Sequence, residues 1–256
     1  MKTLCVIWGS WLVGWLSALG RSSLFLLESL VCCLTPPIKG GRIVKQLWFI
    51  GWKSLPVIFL TSLFAGMVLG FQGVQVLRMV GSDAFVGPLV ALSMLRELGP
   101  VLAALMITGR AGSSITAEIG IMRTNDQIDA LELMGLNPLR YLVAPNVIAM
   151  LIAVPLLTAM FDLVAIGGGW IAAVHVMGMN ASTYFGEMQN TVIFRDIWLY
   201  MLKAMSFGGI IAWVCCYKGY TSRFGAEGVS AATTQAVVNA SVLVLVWNYL
   251  FTSLFA

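Results

Sequence analysis

The chain has 256 residues, of which 59% are hydrophobic and only 10% are charged, with a formal net charge of +4. Soluble domains carry about 25% charged residues, so this composition excludes a soluble protein and indicates a membrane protein with several spans. The basic residues are dispersed through predicted loops, which argues against nucleic-acid binding. Five cysteines and one histidine give no metal-ligand spacing, so we expect no metal site and treat the cysteines as small apolar residues.

Two amphipathic stretches precede the first predicted span. The first contains apolar residues at helical spacing, namely Leu4, Trp8, Trp11, Leu12, Trp15 and Leu19. Because tryptophan favours the membrane interface, this spacing favours an uncleaved interfacial helix over Met1–Leu19, with a signal peptide as the alternative. The second stretch covers Ser22–Leu34. We therefore predict an N-terminal interfacial region over residues 1–53 and a transmembrane domain over residues 54–256.

Five later segments are long and apolar enough to cross a bilayer, which takes roughly 20 apolar residues. They are approximately Leu55–Val80, Gly87–Thr108, Leu142–Val174, Ile197–Tyr217 and Val237–Phe255. The third is too long for one straight crossing, so we expect it either to extend beyond the bilayer or to break at its three consecutive glycines. In the first span, Gly66 and Gly70 have the spacing that lets two helices approach closely, although this motif is weak by itself.

The basic residues predict the orientation of these spans. They precede the first span and occupy the loops between spans two and three and between spans four and five, namely Arg21, Lys39, Arg42, Lys45, Lys53, Arg110, Arg123, Arg140, Lys218 and Arg223. By the positive-inside rule, these regions are cytoplasmic and the C-terminus is extracytoplasmic. The sequence contains no GxxxxGK[ST] motif and offers no Ser/His/Asp set. We therefore expect neither ATP binding by a P-loop nor an enzyme acting alone.

Arg96 and Glu97 lie side by side inside the second span. Ionisable groups at such depth are costly and usually face a cavity or a partner. Adjacent residues on a helix point about 100° apart, so these two cannot easily satisfy each other. We interpret them as a functional site, with a clamp between helices as the alternative. In the third span, Asp162 either lines a path or bonds backbone near the glycines, whereas Arg195 and Lys203 are expected to extend to lipid headgroups.

The loop between spans two and three predicts a short helix over Asn125–Met134. Thr124 and Gln127 fit a capping box, and Gly135 fits a helix stop. A helix this short cannot span a membrane, but its amphipathic character suits docking into a groove of a soluble partner. The alternative, a helix resting on the membrane surface, is disfavoured because anionic headgroups repel its acidic side chains. Three residues flank this helix, namely Arg110, Glu118 and Arg123. We interpret them as pairing with one another to fix the loop against the span ends, with a direct chemical role as the alternative.

Two blocks of this region closely resemble the MlaE-type permease family, the membrane subunits of ABC transporters that move phospholipids with MCE-domain proteins. These blocks are LVALSMLRELGPVLAALMITGRAGSSITAEIGIMR and DALELMGLNPLRYLVAP. The similarity extends over nearly the whole chain, including GYTSRFGAEGVSAATTQAVV. It implies an all-α polytopic membrane protein, with an N-terminal interfacial helix, five transmembrane helices and a cytoplasmic coupling helix at about residues 125–134.

The resemblance also implies the partners. It implies a homodimer in the bacterial inner membrane, a cytoplasmic ABC ATPase that uses ATP and Mg, and a periplasmic MCE-domain protein. A small cytoplasmic accessory subunit is a further option, and the chain itself is expected to bind no cofactor. The complex would move phospholipids between the inner membrane and the MCE-domain protein, and so maintain outer-membrane lipid asymmetry.

Site residues follow from the same resemblance. We expect lipid binding by Leu69, Gln72, Leu77, Arg96 and Glu97. We expect coupling to the ATPase by Glu118, Arg123, Asp126, Ile128, Asp129, Leu131, Glu132 and Met134. Two rival functions stay open on the residues alone: a proton-coupled secondary transporter with Glu97 or Asp162 as the carrier, and a membrane scaffold in which Arg96 and Glu97 only clamp helices. The short docking helix favours the permease.

Overall fold

The computed structural model describes residues 16–17, 20–33, 40–79, 81–191 and 194–255. Within these ranges the chain is almost entirely helical and contains no β-strand, which confirms the predicted all-α fold. The predicted interfacial helix over Met1–Leu19 lies almost wholly outside the described residues. The second amphipathic stretch is a helix, α1, over residues 20–33. Trp213 ties it to the fourth span, because its indole Nε1 donates to the carbonyl oxygen of Ser22 at 2.9 Å.

Five helical segments are long and apolar enough to cross a membrane, as predicted. The first is α2 (Gly40–Met79), the fourth is α10 (Phe194–Tyr220) and the fifth is α11 (Ala226–Phe255). The second joins α3 (Val86–Ser93), a π-helical turn (Met94–Leu98), α4 (Gly99–Ile107), a second π-helical turn (Thr108–Gly112) and α5 (Ser113–Thr124). The third joins a π-helical turn (Leu139–Val143), α7 (Ala144–Trp170) and another (Ile171–Val176).

Shorter helices connect these segments and define the two ends of the bundle. A 3-10 turn (Asp83–Phe85) joins the first two spans, and α8 (Ala181–Gly186) and α9 (Met188–Thr191) join the third to the fourth. On the opposite side, α6 (Gln127–Leu133) lies between the second and third spans. Because the spans alternate in direction, α6 and the turn between α10 and α11 share one end, called here the α6 end. The other is the α8 end.

The spans exceed their predicted lengths, and α2 is the longest of them. Its 40 residues make it about 60 Å long at the rise of an α-helix, roughly twice the 30 Å thickness of a bilayer's hydrocarbon core. The helix continues because helix formation needs no uniform hydropathy, so it includes the basic and tryptophan-rich stretch that hydropathy left outside the span. The predicted border between residues 53 and 54 falls within this helix.

The first and third spans pack backbone against backbone at their glycines. A Cβ on Gly66 would collide with the backbone of Ala165, and one on Gly70 would lie 2.6 Å from the carbonyl oxygen of Gly169. A Cβ on Gly168 would likewise collide with the backbone of Leu63. The spacing of Gly66 and Gly70 therefore marks a helix seam within one chain, and the glycine triplet continues α7 without a break because it packs against α2.

The start of α6 differs from the predicted capping box. Thr124 belongs to α5, where its hydroxyl donates to the carbonyl oxygen of Gly120 at 3.0 Å. Asp126 precedes α6 with a left-handed φ of 54° and caps no backbone N–H with its side chain. The capping-box prediction is wrong because α5 extends to this point. Gly135, with φ of 74°, ends α6, and this confirms the predicted helix stop.

Candidate functional site

A charged cluster is centred on Glu97 at the α8 end. Arg96 and Glu97 lie in the π-helical turn Met94–Leu98. The π-helical turn departs from the regular α-helical hydrogen-bond register, a feature frequent at functional sites. Lys203 Nζ on α10 donates to the carbonyl oxygen of Arg96 at 2.9 Å and to Glu97 Oε2 at 3.2 Å. Lys203 of the fourth span therefore binds both the backbone and a carboxylate of the second span.

The Glu97 carboxylate also receives two donors from the fifth span. Thr252 Oγ1 donates to Glu97 Oε1 at 2.7 Å, and Asn248 Nδ2 donates to Glu97 Oε2 at 3.0 Å. Lys203 completes the network by donating to Thr252 Oγ1 at 3.0 Å. Only 4% of the Lys203 side chain is exposed, against 41% for Glu97. The expectation that Lys203 extends to headgroups is wrong, because the carboxylate inside the bundle offers this cation a closer partner.

Arg96 pairs with a different residue of the fourth span. Its Nη2 lies 3.1 Å from Asp196 Oδ2 at the start of α10. The Arg96 side chain is nevertheless 54% exposed, whereas that of Asp196 is 13% exposed. Adjacent positions therefore have separate partners, as predicted, and the Arg96 guanidinium keeps most of its donors accessible.

These residues line a pocket of about 300 Å³ at the α8 end. Its walls combine three cationic, two acidic and several aromatic or apolar side chains, namely Arg96, Arg195, Lys203, Glu97, Asp196, Leu199, Tyr200, Phe251, Thr252 and Phe255. Guanidinium groups bind phosphate and carboxylate through paired hydrogen bonds. A cation-rich pocket with apolar walls therefore suits the anionic head of an amphipathic molecule.

A second groove, of about 410 Å³, lies on the same second span, beside α2. Its lining is apolar apart from one amide, and consists of Phe64, Ala65, Val68, Leu69, Gln72, Met94 and Leu98. Met94 and Leu98 are the ends of the π-helical turn that carries Arg96 and Glu97. One turn of helix thus contributes to a charged pocket and to an apolar groove.

The structure divides the predicted lipid residues among three places. Leu69 and Gln72 line the apolar groove, and Arg96 and Glu97 line the charged pocket. Leu77 instead packs against a small core beside α8 that includes Tyr184. Sequence reasoning missed the residues that hold Arg96 and Glu97, namely Asp196, Lys203, Asn248 and Thr252. The spacing of these residues was the available signal. Asp196 and Lys203 are seven positions apart on span four, and Asn248 and Thr252 are four apart on span five, so each pair lies on one helical face.

Asp162 sits inside the bundle, 3% exposed. Its side chain approaches Gly99 so closely that a Cβ on that glycine would collide with the carboxyl group. Neither carboxyl oxygen makes a hydrogen bond of good geometry with a described residue, although the Tyr200 side chain is a polar neighbour. The interpretation that Asp162 bonds backbone freed near the glycines is wrong, because α7 keeps its helical hydrogen bonds there. The residue lines neither the pocket nor the groove.

At the α6 end, the short helix divides its apolar residues between core and surface. Ile128 is fully buried and Leu131 is 7% exposed. Leu133 is 90% exposed and Met134 is 66% exposed. The outward apolar surface therefore lies at the end of α6. Asp126 and Glu132 are exposed and Asp129 is half-buried in or next to this helix, and Glu118 is exposed on α5. Of the residues predicted for coupling, Ile128 and Leu131 fix α6 to the bundle.

The predicted mutual pairing of Arg110, Glu118 and Arg123 is wrong. Arg110 Nη1 donates to the carbonyl oxygen of Phe49 at 2.8 Å and to Ser54 Oγ at 3.2 Å, both on α2. Arg123 Nη1 lies 2.6 Å from Asp129 Oδ1 on α6. The two arginines lie about 20 Å apart along the span, too far to share one carboxylate. In the described part of the chain, no three His, Cys, Asp or Glu residues cluster as metal ligands would.

Comparison with known proteins identifies the family. A family model described as Permease MlaE matches residues 43–254. A probable ABC transporter permease protein of Rickettsia bellii is 42% identical, over 93% of this chain and 92% of its own length. The intermembrane phospholipid transport system permease protein MlaE of Haemophilus influenzae is 39% identical, over 96% and 95% respectively. The chloroplastic protein TRIGALACTOSYLDIACYLGLYCEROL 1 of Arabidopsis thaliana is 35% identical, over 87% and 67%.

The matched region includes all five spans, the charged pocket and α6, and its relatives are permease subunits rather than enzymes. These findings agree with the resemblance that the second span and the following loop indicated. This multi-pass inner-membrane protein belongs to the MlaE permease family.

Proposed function

We propose that this chain is the permease subunit of an ABC transporter that moves phospholipids between the inner membrane and a periplasmic MCE-domain partner. One observation carries the proposal: the π-helical turn Met94–Leu98 lines a charged pocket with Arg96 and Glu97, and an apolar groove with Met94 and Leu98. A phospholipid has the same two parts, an anionic head and apolar chains. The name of the Haemophilus relative, an intermembrane phospholipid transport permease, supports this substrate class.

In this proposal the lipid head lies against Arg96. The guanidinium uses Nη2 for Asp196. Its other donors make no hydrogen bond with a described residue, and they can meet a phosphate as a forked pair. Glu97 has a different role, because its carboxylate is occupied by Lys203, Asn248 and Thr252. It holds three spans together and so shapes the wall that faces the head.

The acyl chains lie in the groove between α2 and the second span, against Leu69, with the Gln72 amide toward the head. This groove opens to one side of the single chain. Exposed apolar side chains follow its rim along α2, among them Phe64, Val68 and Phe71. A second copy facing this surface would enclose the lipid, so the complete cavity belongs to a homodimer.

ATP and Mg are held by a partner ATPase at the α6 end, which is cytoplasmic by the positive-inside rule. The ATPase contacts Leu133 and Met134 together with the acidic residues around them. Its closure on ATP changes the cavity, and lipid moves because its affinity differs between the two states. The MCE-domain partner then sits at the α8 end, outside the cytoplasm, and continued transport maintains outer-membrane lipid asymmetry.

The test is to purify the chain from its native membrane in mild detergent and to identify bound proteins and lipids by mass spectrometry. We expect an ABC ATPase, an MCE-domain protein and retained phospholipid, with an accessory subunit where one exists. A second ABC permease complex from the same membrane serves as the control for gentle extraction. Recovery of this chain alone, while the control complex stays whole, would contradict the proposal and favour a secondary transporter.

A further inference from the structure

The second, fourth and fifth spans are packed into one body at the α6 end. Thr116 Oγ1 on α5 donates to the carbonyl oxygen of Cys215 on α10 at 3.1 Å. A Cβ on Gly112 would lie 2.8 Å from Cys215 Sγ, and one on Gly219 would lie 2.9 Å from the carbonyl oxygen of Thr116. Backbones this close leave no room for one helix to slide past the other. The end of α5 therefore moves together with the end of α10.

The turn between α10 and α11, residues 221–225, completes this body. A Cβ on Gly120 of α5 would lie 3.3 Å from Ser222 Oγ in the turn and 3.3 Å from the side chain of Val229 in α11. At Gly228, a Cβ would collide with the backbone of Arg223. The first turn of α11 is thus held against both α5 and the turn that precedes it.

Side chains then join this turn to α6. Arg123 pairs with Asp129 of α6 at 2.6 Å, and its guanidinium also lies over the Phe224 ring at 5.8 Å from the centroid. The Tyr220 hydroxyl lies 3.5 Å from Glu132 Oε1 on α6. These five residues surround an open cavity of about 590 Å³. We call the set of Arg123, Asp129, Glu132, Tyr220 and Phe224 the latch.

We propose that Tyr220 and Phe224 are positioning residues that transmit the motion of α6 to the fourth and fifth spans. This rests on the proposed function, in which an ATPase moves α6. The α8 ends of the same two spans supply Lys203, Asn248 and Thr252, the donors to Glu97. From Tyr220 to Lys203 the path is one continuous α-helix of about 25 Å. A displacement of α6 at the latch is therefore transmitted along α10 and α11 to the charged pocket.

Phe224 is the latch residue best suited to a test, because it is not among the residues proposed to contact the ATPase. Phe224 is 63% exposed and belongs to no core cluster of the described residues, so replacing it leaves the fold intact. Its ring contacts a cation, and attraction between a cation and a ring depends on the aromatic face. A leucine keeps an apolar side chain at this position but loses the attraction, whereas a tyrosine keeps it.

The test compares Phe224→Leu with Phe224→Tyr in the full complex, reconstituted in phospholipid vesicles. Both ATP hydrolysis and lipid transport are measured, and their ratio gives the lipid moved per ATP. For Phe224→Leu we expect assembly and ATP hydrolysis within twofold of the unaltered complex and a fall in that ratio of about fivefold, the lower end of typical coupling between sites. The Phe224→Tyr complex should keep the ratio of the unaltered complex. Tyr220→Phe, which removes only a hydroxyl, should lower it by less.

Phe194→Leu is the matched control, since Phe194 is 79% exposed at the other end of α10 and lies outside the latch. It should leave the ratio unchanged. A Phe224→Leu complex with a normal ratio would overturn the proposal. So would an equal loss of assembly, hydrolysis and transport, which would make Phe224 a docking contact instead. If the unaltered complex moves no phospholipid with ATP, the proposed function fails rather than the latch.

Discussion

The two ends of the bundle each carry a charged cluster, and the clusters differ in how firmly they are held. At the α8 end, the Lys203 side chain is 4% exposed, and Glu97 accepts hydrogen bonds from two other spans. At the α6 end, Arg123 and Asp129 are 31% and 50% exposed and share one ion pair. Buried ion pairs are costly to break, whereas exposed pairs contribute little to stability.

The difference matches the roles proposed above for the two ends. A pocket that recognises a phosphate needs donors in fixed positions, because a guanidinium must meet two oxygens at once. A surface that passes on a partner's motion needs contacts that can shorten, lengthen and reform at small cost. The α8 end therefore resembles a binding site and the α6 end a joint, although both use arginine and carboxylate side chains.

The largest expected effect comes from breaking the buried network. Lys203→Met removes the cation that binds Glu97 and the backbone of Arg96, and leaves the carboxylate with only neutral donors. Losing one partner of a buried pair costs about 3–5 kcal/mol, and the 41% exposure of Glu97 lowers that figure. We expect a clear fall in the thermal unfolding midpoint of the purified complex and loss of lipid transport.

The double variant Lys203→Met with Glu97→Gln separates charge from packing. It removes both charges, so most of the lost stability should return while transport stays low. An unchanged unfolding midpoint in the single variant would show that the network is not the firmer of the two clusters.

A smaller effect, confined to transport, is expected at Arg96. Arg96→Gln keeps a polar side chain but shortens it and removes the charge and the forked donors. Hydrogen bonds to charged groups contribute about 1.5–3 kcal/mol, so transport should fall roughly tenfold to a hundredfold. Because the Arg96 side chain is 54% exposed, the unfolding midpoint should move little. Arg96→Lys should recover part of the activity, and normal transport in Arg96→Gln would contradict the headgroup role.

The sequence predicts the spans well because the membrane constrains them. Every span must satisfy its backbone internally, so long apolar helices are required, and all five were placed correctly in number and order. The end of α6 was also predictable, since Gly135 adopts a positive φ that other residues rarely adopt. These features depend on local sequence or on the surrounding solvent, and both can be read from one chain.

Contacts between spans were not predictable in the same way. Lys203 meets Glu97 across 106 positions of sequence, and nothing local to Lys203 distinguishes it from a lysine that reaches the headgroups. Pro100 has no N–H to donate to the Arg96 carbonyl oxygen four residues earlier. The sequence shows that this oxygen needs another donor, but not that Lys203 supplies it. The charged positions could be recognised as functional, whereas their partners required the packing of three helices.

The smallest change in stability is expected for a variant of the latch at the α6 end. Arg123→Gln removes one exposed ion pair and the cation over Phe224, and such pairs are worth about 0–1 kcal/mol. The unfolding midpoint should therefore stay nearly constant. The effect should appear instead as salt dependence, because mobile ions screen exposed charges within about 10 Å at 0.1 M salt. Transport per ATP by the unaltered complex should fall between 50 and 500 mM salt, roughly toward the level of the Arg123→Gln complex.

The same salt series sharpens the contrast between the ends. The Lys203 side chain is only 4% exposed and is therefore poorly accessible to mobile ions. The unfolding midpoint of the Lys203→Met complex should remain below that of the unaltered complex at every salt concentration. If transport per ATP instead proved insensitive to salt in the unaltered complex, the Arg123–Asp129 ion pair would not transmit the motion of α6. The α6 motion would then reach α10 and α11 through the glycine contacts of α5 alone, because those contacts are steric and unaffected by screening.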